Sequence, residues 1–303
     1  KAFPTSVHDN EMSELLSAAY VNASNYNKAI THVEAMTRRT PIMNSVYQKA
    51  TYFKGTELFN KDDWSQAITM FDKSMTVPTD KAIAAACLFW RGEAQSALRQ
   101  YDPAIGSYQQ AVNMELKDPE LMASLRYGLG YAFFNLQQFD KALFHFRELS
   151  KYPTDGSIQQ DGLLRLGDCY YVAKSYTEAV AAYKRAIQLR ASESDYAYLQ
   201  AGVIEGILRQ YDAAAGDLDR VIRDFPQSKY WDEAVYQRGQ LDFGRGNYAS
   251  AASAFSRLLG SGKPGTRFTP LAHLRRAASY FNLKDYNRTA DDYIRVLTDY
   301  PAV

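Results

Sequence analysis

Cysteine is scarce in this chain: two in 303 residues, Cys87 and Cys169. Two cysteines cannot form the dense disulfide framework of a small secreted scaffold, nor the four-thiolate set of a structural zinc site. Histidine is nearly as rare. The four are His8, His32, His145 and His273, none four residues from another and none with a glutamate in metalloprotease spacing. Charge of one sign is missing too, because 35 basic and 34 acidic residues leave a formal +1. That balance supplies no general drive towards nucleic acid or anionic membrane. No apolar run is long enough to span a bilayer, so direct membrane insertion is not expected. Alternating apolar and polar runs are absent, which removes support for strands.

Catalytic groupings are also lacking. Neither a nucleophile–base pair nor a pair of carboxylates in a setting that tunes acidity is visible. Gly260-Ser261-Gly262-Lys263-Pro264-Gly265 has the flavour of a phosphate loop. Such a loop needs a preceding strand and a Ser or Thr after the lysine, where this chain has Pro264. A long loop between elements is the expectation. Gly128-Leu129-Gly130 lies inside a helical pattern and cannot make a dinucleotide turn. The chain is expected not to be an enzyme and to carry no cofactor, no metal and no catalytic residue.

What the sequence has is one short phrase written eight times. It begins with an aromatic, at Tyr26, Trp64, Tyr101, Phe139, Tyr176, Tyr211, Tyr248 and Tyr286. Three residues on stands alanine in seven of the eight (Ala29 to Ala251), with Thr289 in the last. Four further on comes Val33, Phe71, Tyr108, Phe146, Tyr183, Leu218, Phe255 or Tyr293. These offsets put the residues on one helical face. Nine residues before each aromatic lies a small residue: Gly55, Gly92, Gly130, Gly167, Gly202 and Gly239, with Ser17 and Ala277 in the terminal units. Glycine inside a helix costs about 1 kcal/mol relative to alanine, so six recurrences need compensation. The expectation is that the bare helix rests against the alanine of its partner, and that a bulky residue at Gly130 or Gly167 costs about 1–3 kcal/mol by overpacking.

Tight turns such as Asn60-Lys61-Asp62-Asp63 separate the two helices of a unit. Prolines at 41, 78, 119, 153, 226, 264 and 301 read as stops after the second helix. A repeat of this length is a helical hairpin that buries its apolar face only against its neighbours, so the array is a solenoid.

The pattern resembles the tetratricopeptide repeat: Gly or Ala in the first helix, an aromatic three residues later (Tyr20, Phe133, Tyr170, Tyr280), Ala in the second helix and Pro at the end. It recurs over nearly the whole chain. The period is closer to 37 than to the usual 34, and Gln95, Glu205 and Asp242 put polar residues three after the glycine, where packing is expected to be less regular. The resemblance implies an all-α fold, a right-handed superhelical α-solenoid of about eight hairpins. Residues 1–10 end a preceding repeat or linker, and 11–303 form one array with units near 11–43, 44–80, 81–118, 119–156, 157–192, 193–228, 229–266 and 267–303. Phe3-Pro4-Thr5-Ser6 matches Phe225-Pro226-Gln227-Ser228, a junction between units. Another repeat is therefore expected before Lys1, and the array is expected to be part of a longer one. Longer units and phrases such as Asp224-Phe225-Pro226-Gln227-Ser228 resemble repeats of bacterial envelope proteins, among them the outer-membrane assembly lipoprotein and the Tol-associated coordinator of cell division.

In this family the first helices line the concave face. Carried over, that register names Tyr52, Phe59 and Asn60, with Thr56, in the second unit and Phe89, with Glu93, in the third. It adds Tyr127, Tyr131, Phe134 and Asn135 in the fourth, then Asp168 and Tyr171, with Asp161, in the fifth. Tyr196 follows in the sixth, Tyr236 and Phe243, with Gln240, in the seventh, and Phe281 and Asn282 in the eighth. Aromatics offer contact area at low entropic cost and asparagine pairs with a peptide backbone, so an extended or helical peptide is the expected occupant. Aromatics at helical spacing also serve as core, and about half of these rings are expected to pack hairpin against hairpin. The cationic clamp that holds a C-terminal carboxylate in some members is not evident, because aromatic and small residues occupy its positions.

The expected function is a protein–protein interaction scaffold within a bacterial envelope complex, periplasmic or outer-membrane-associated, with the cytoplasm as the other compartment. The alternatives are a structural spacer between flanking domains and a surface that stacks on glycan or cell-wall polymer. Self-association through open array ends is a further expectation. Cys87 and Cys169 fall in first helices with a whole unit between them. Stacked hairpins lie roughly 10 Å apart, too far for a disulfide. The histidines read as ordinary helix-surface residues.

Overall fold

A computed structural model of the chain describes residues 9–152, 156–261 and 267–300. Sixteen α-helices and no strand occur among the described residues. They run α1 (Asp9–Asn22), α2 (Tyr26–Glu34), α3 (Pro41–Phe59), α4 (Trp64–Met75), α5 (Lys81–Ala97), α6 (Tyr101–Val112), α7 (Pro119–Asn135) and α8 (Phe139–Leu149). Then follow α9 (Gly156–Val172), α10 (Tyr176–Gln188), α11 (Ser194–Ile207), α12 (Tyr211–Asp224), α13 (Trp231–Gly244), α14 (Tyr248–Leu259), α15 (Thr269–Asn282) and α16 (Tyr286–Asp299). Every even-numbered helix starts on the repeating aromatic. The chain gathers into two compact units, Lys1–Ile158 and Gln159–Val303.

In the first unit each helix from α1 to α8 packs on the next, and α1, α3, α5 and α7 also touch one another in sequence. In the second, α10 to α16 pack in the same succession, and α11, α13 and α15 touch in turn. First helices therefore form a continuous face in each unit. The core follows from the repeated phrase. Ala29, Ala67, Ala104, Ala142, Ala179, Ala214 and Ala251 are fully buried, as are Phe71, Tyr108, Phe146, Tyr183, Leu218 and Phe255.

The first-helix glycines meet these large side chains and not the alanines. A Cβ on Gly92 would lie 2.4 Å from Tyr108 Cε1, and one on Gly130 would lie 2.7 Å from Phe146 Cε1. Gly55, Gly167 and Gly239 meet Phe71, Tyr183 and Phe255 in the same way. Only at Gly202, where Leu218 replaces the ring, does the alanine come close, through the Ala214 carbonyl at 3.1 Å. The expected glycine–alanine contact is corrected accordingly: the absent side chain makes room for an aromatic ring.

Each turn inside a hairpin is built alike. The residue two before the aromatic adopts a left-handed backbone: Ser24, Asp62, Arg99, Gln137, Lys174, Arg209, Gly246 and Lys284. Around Arg99, the Gln100 N–H donates to the Gln95 carbonyl at 2.8 Å and the Arg99 N–H to the Ser96 carbonyl at 2.9 Å. That crossed pair satisfies the last carbonyls of α5. The next residue caps the following helix, as when Asp63 accepts from the Gln66 N–H.

Pro41 and Pro119 do not stop a helix. Each occupies the first turn of the following one, behind the capping residues Thr40 and Asp118, where a missing N–H costs nothing. Pro78 and Pro226 lie in connections, and Pro153, Pro264 and Pro301 lie outside the described residues. So do the opening phrase through residue 8 and residues 262–266 of the glycine-rich loop. Cys87 and Cys169 are buried free thiols, raised by burial to about 11 and about 12. Two histidines correct the surface expectation. His145 is buried, stacked 5.4 Å from Phe133, and accepts from Arg126 through Nδ1 at 3.3 Å. His273 is buried against Asp292, 2.7 Å away. The polar residues three after the glycine are paired: Gln95 accepts from Ser107, Glu205 meets Lys184, and Asp242 meets Arg238.

Candidate functional site

An aromatic normally stands four residues after the small residue of the first helix, and it packs on the leading aromatic of the second. Phe134 lies 5.4 Å from Phe139, Phe243 lies 5.3 Å from Tyr248, and Phe281 lies 5.7 Å from Tyr286, all near edge-to-face. Tyr171 and Tyr176 make the looser version at 6.0 Å. These pairs close the mouth of the hairpin with favourable ring geometry. In the third repeat that position is Ser96. Its small hydroxyl leaves Tyr101 without the ring that Phe139, Tyr176, Tyr248 and Tyr286 have. In the next first helix, Gly128 takes a place where Trp90 stands one repeat earlier. The two small residues open a cavity of about 280 Å³ among α5, α6 and α7.

The cavity is lined by Glu93 and Ser96 from α5, by Tyr101 and Tyr108 from α6, and by Tyr127, Gly128, Tyr131, Ala132 and Asn135 from α7. At its base Tyr108 is wedged between Gly92 and Gly128, where an added Cβ would sit 2.4 Å and 2.7 Å from its ring. Its hydroxyl donates to Glu93 Oε1 at 2.6 Å and lies 3.2 Å from Ser96 Oγ. With the tyrosine proton committed to the carboxylate, Ser96 is left to donate to the tyrosine oxygen. Burial, then the adjacent Glu93 charge, drives the Tyr108 hydroxyl far above the ordinary tyrosine range. Burial also pushes the Glu93 carboxyl up, partly offset by the Tyr108 hydrogen bond. Tyr127 and Tyr131 meet edge-to-face at 4.8 Å, and Tyr131 is buttressed by Phe146 at 5.6 Å. Asn135 donates to the Tyr131 carbonyl at 2.9 Å, which fixes it at the rim.

The expected groove residues divide among cavity, core and surface. Tyr127, Tyr131 and Asn135 meet in the cavity, together with Glu93. Phe134 is half-buried and closes on Phe139. Tyr52 and Phe59 pack on the core of Leu58, Phe71 and Cys87, and Phe89 lies 5.1 Å from Trp90. Asn60, Tyr171, Phe281 and Asn282 are exposed. Two members are corrected, because their side chains are buried. Asp168 accepts from both Tyr183 and Tyr196 at 2.6 Å and pairs with Arg165 at 2.8 Å, which commits the Tyr196 hydroxyl inward as well. Tyr236 packs, tilted, among Phe255 and Phe268 and accepts from Gln240. Phe243 is half-buried against the same cluster. Sequence reasoning missed Ser96, Tyr101, Tyr108 and Gly128. The signal was the break in register: serine where five other units place an aromatic.

Among the described residues no group of histidine, cysteine and acidic side chains could hold a metal ion, and no helix is long and apolar enough to cross a membrane.

Comparison with known proteins matches the tetratricopeptide repeat model to residues 89–156, 127–195 and 236–302, together more than half of the chain. Among solved structures, a tetratricopeptide repeat protein from Parabacteroides merdae is 18% identical, aligns over 83% of this chain and 93% of its own, and has a TM-score of 0.54. YrrB, described as a TPR protein with an unusual peptide-binding site, is 18% identical over 69% of this chain and 96% of its own, with a TM-score of 0.54. At such identities the likeness concerns the fold. The transcriptional activator NprA of Geobacillus stearothermophilus is 27% identical over 168 residues, half of this chain. The match spans 41% of that protein's length.

Proposed function

This chain belongs to the tetratricopeptide repeat family, and on that premise we propose that it is a non-catalytic scaffold holding a peptide or protein partner against its first-helix, concave side. One observation carries the reading: the cavity among α5, α6 and α7, where two successive repeats present tyrosine rings, hydroxyls, an amide and a carboxylate together. A mixed apolar and polar lining of this kind suits a peptide side chain with its backbone at the rim. YrrB's description as peptide-binding gives the reading a precedent on the same fold.

Replacing Tyr127, Tyr131 and Phe134 together by alanine tests the scaffold reading. Partners captured by the wild type are lost from the triple variant, whereas partners that survive the change remove the basis for this face. A place in a bacterial envelope complex belongs to the same proposal. It is supported by the envelope-like phrase at Asp224–Ser228, and cell fractionation that finds the protein only in the cytoplasm overturns it. Self-association through the array ends belongs to the same proposal. Sedimentation velocity showing a monomer at all concentrations would reject it.

A further inference from the structure

The chain contains the same carboxylate twice, in two different states of completion. Glu93 and Asp168 each follow the repeat glycine by one residue, and each accepts from the buried tyrosine of its own hairpin at 2.6 Å, Tyr108 or Tyr183. Around Asp168 the rest of the shell is internal. Arg165 donates to its second oxygen at 2.8 Å, and Tyr196 adds another hydroxyl. At Glu93 the residue matching Arg165 is Trp90, which turns to Phe59 and Phe89 at 5.0 and 5.1 Å. Among the described residues Tyr108 is the hydrogen-bond donor to Glu93, and no lysine, arginine or histidine pairs with it. What faces Glu93 in place of a cation is the cavity and its tyrosines.

We infer that this cavity receives a cationic side chain, lysine or arginine, from a peptide held on the first-helix face. The inference rests on the scaffold reading above and names the chemistry of its occupant. A half-buried carboxylate lacking a counter-ion is stabilised by a cation that replaces lost hydration, as Arg165 does for the buried Asp168. Tyrosine faces around it attract the same charge through their ring quadrupoles. The volume of about 280 Å³ lies at the small end for ligand pockets, so it fits one side chain and not a folded element. Burial has raised the Glu93 carboxyl, and an incoming ammonium or guanidinium favours its ionised form.

The test uses an array of random-sequence peptides with acetylated and amidated ends, probed with the whole chain as wild type, E93Q and Y127L. Glutamine still accepts from Tyr108, so E93Q removes charge while keeping the hydrogen bond. Bound peptides are expected to be enriched in Lys or Arg at one position. Changing that residue to Gln weakens wild-type binding by about tenfold or more, while E93Q binds both peptides within about threefold of each other. Y127L is expected to weaken the Lys or Arg peptide as well; where Y127L fails to fold, the E93Q comparison decides alone. Peptides bound without preference for a cation, or a preference unchanged in E93Q, overturn the assignment and leave the scaffold reading standing. An array with no bound peptide removes both. Soluble cell-wall oligosaccharides that bind wild type but not E93Q would give the cavity to sugar and overturn the cation.

Discussion

Tyr108 shows how much one residue decides. It fills the hairpin, holds Glu93 and forms the base of the cavity, and it does so only because Gly92 and Gly128 carry no side chain. Gly92→Ala is expected to lower stability by about 1–3 kcal/mol in urea denaturation, because the ring has nowhere to move. Gly106→Ala, in α6 with nothing within 4 Å of the new methyl, is expected to raise it by about 0.5–1 kcal/mol. The glycine register was plain in the sequence, but its partner was not. Alanine and ring alternate on the same helical face, and only packing reveals which of them reaches the glycine. His145 makes a second residue-scale case. Burial first, then the Arg126 charge, lowers its imidazole to about 4, so it is neutral when folded. The unfolded chain takes up a proton near pH 6.5 that the folded chain refuses, so stability falls as pH drops through the window from about 6.5 to 4. Between pH 7 and 5 the loss should be on the order of 2 kcal/mol, and His145→Gln should flatten that part of the pH–stability curve.

At the scale of elements, eight hairpin turns share one left-handed residue, yet only Gly246 and, less strongly, Asp62 are residue types that such a backbone favours. The seven other than Gly246 pay a steric penalty for their Cβ. That mismatch is why the turns were legible as turns but their geometry was not: Arg, Lys, Gln and Ser carry no such signature. Arg209→Gly is expected to raise stability by about 0.5–1 kcal/mol and Gly246→Ala to lower it by about 1 kcal/mol, both read from urea midpoints. The helices were legible for a different reason. Offsets of three and four set a face, and that face is what packs. The opposite held for the rings of the first helices. Phe243 and Phe281 hold the same register, four residues after the small residue, yet one is half-buried and the other is exposed. Neighbouring repeats decide this, and helical periodicity is blind to them.

For the molecule as a whole, repetition explains both the fold and the site. Each hairpin in a unit buries the next, and first helices touch first helices, so one face recurs along each unit. A repeat array gains a specific feature where it departs from its own pattern. Ser96 and Gly128 are such departures, and the cavity lies where they meet. The proposed function requires that a bound peptide use that place. Hydrogen exchange of the chain with and without the strongest peptide from the array measures it directly. Protection concentrated in residues 93–101 and 127–135 is the predicted result, and protection confined to the second helices, or none at all, would contradict it.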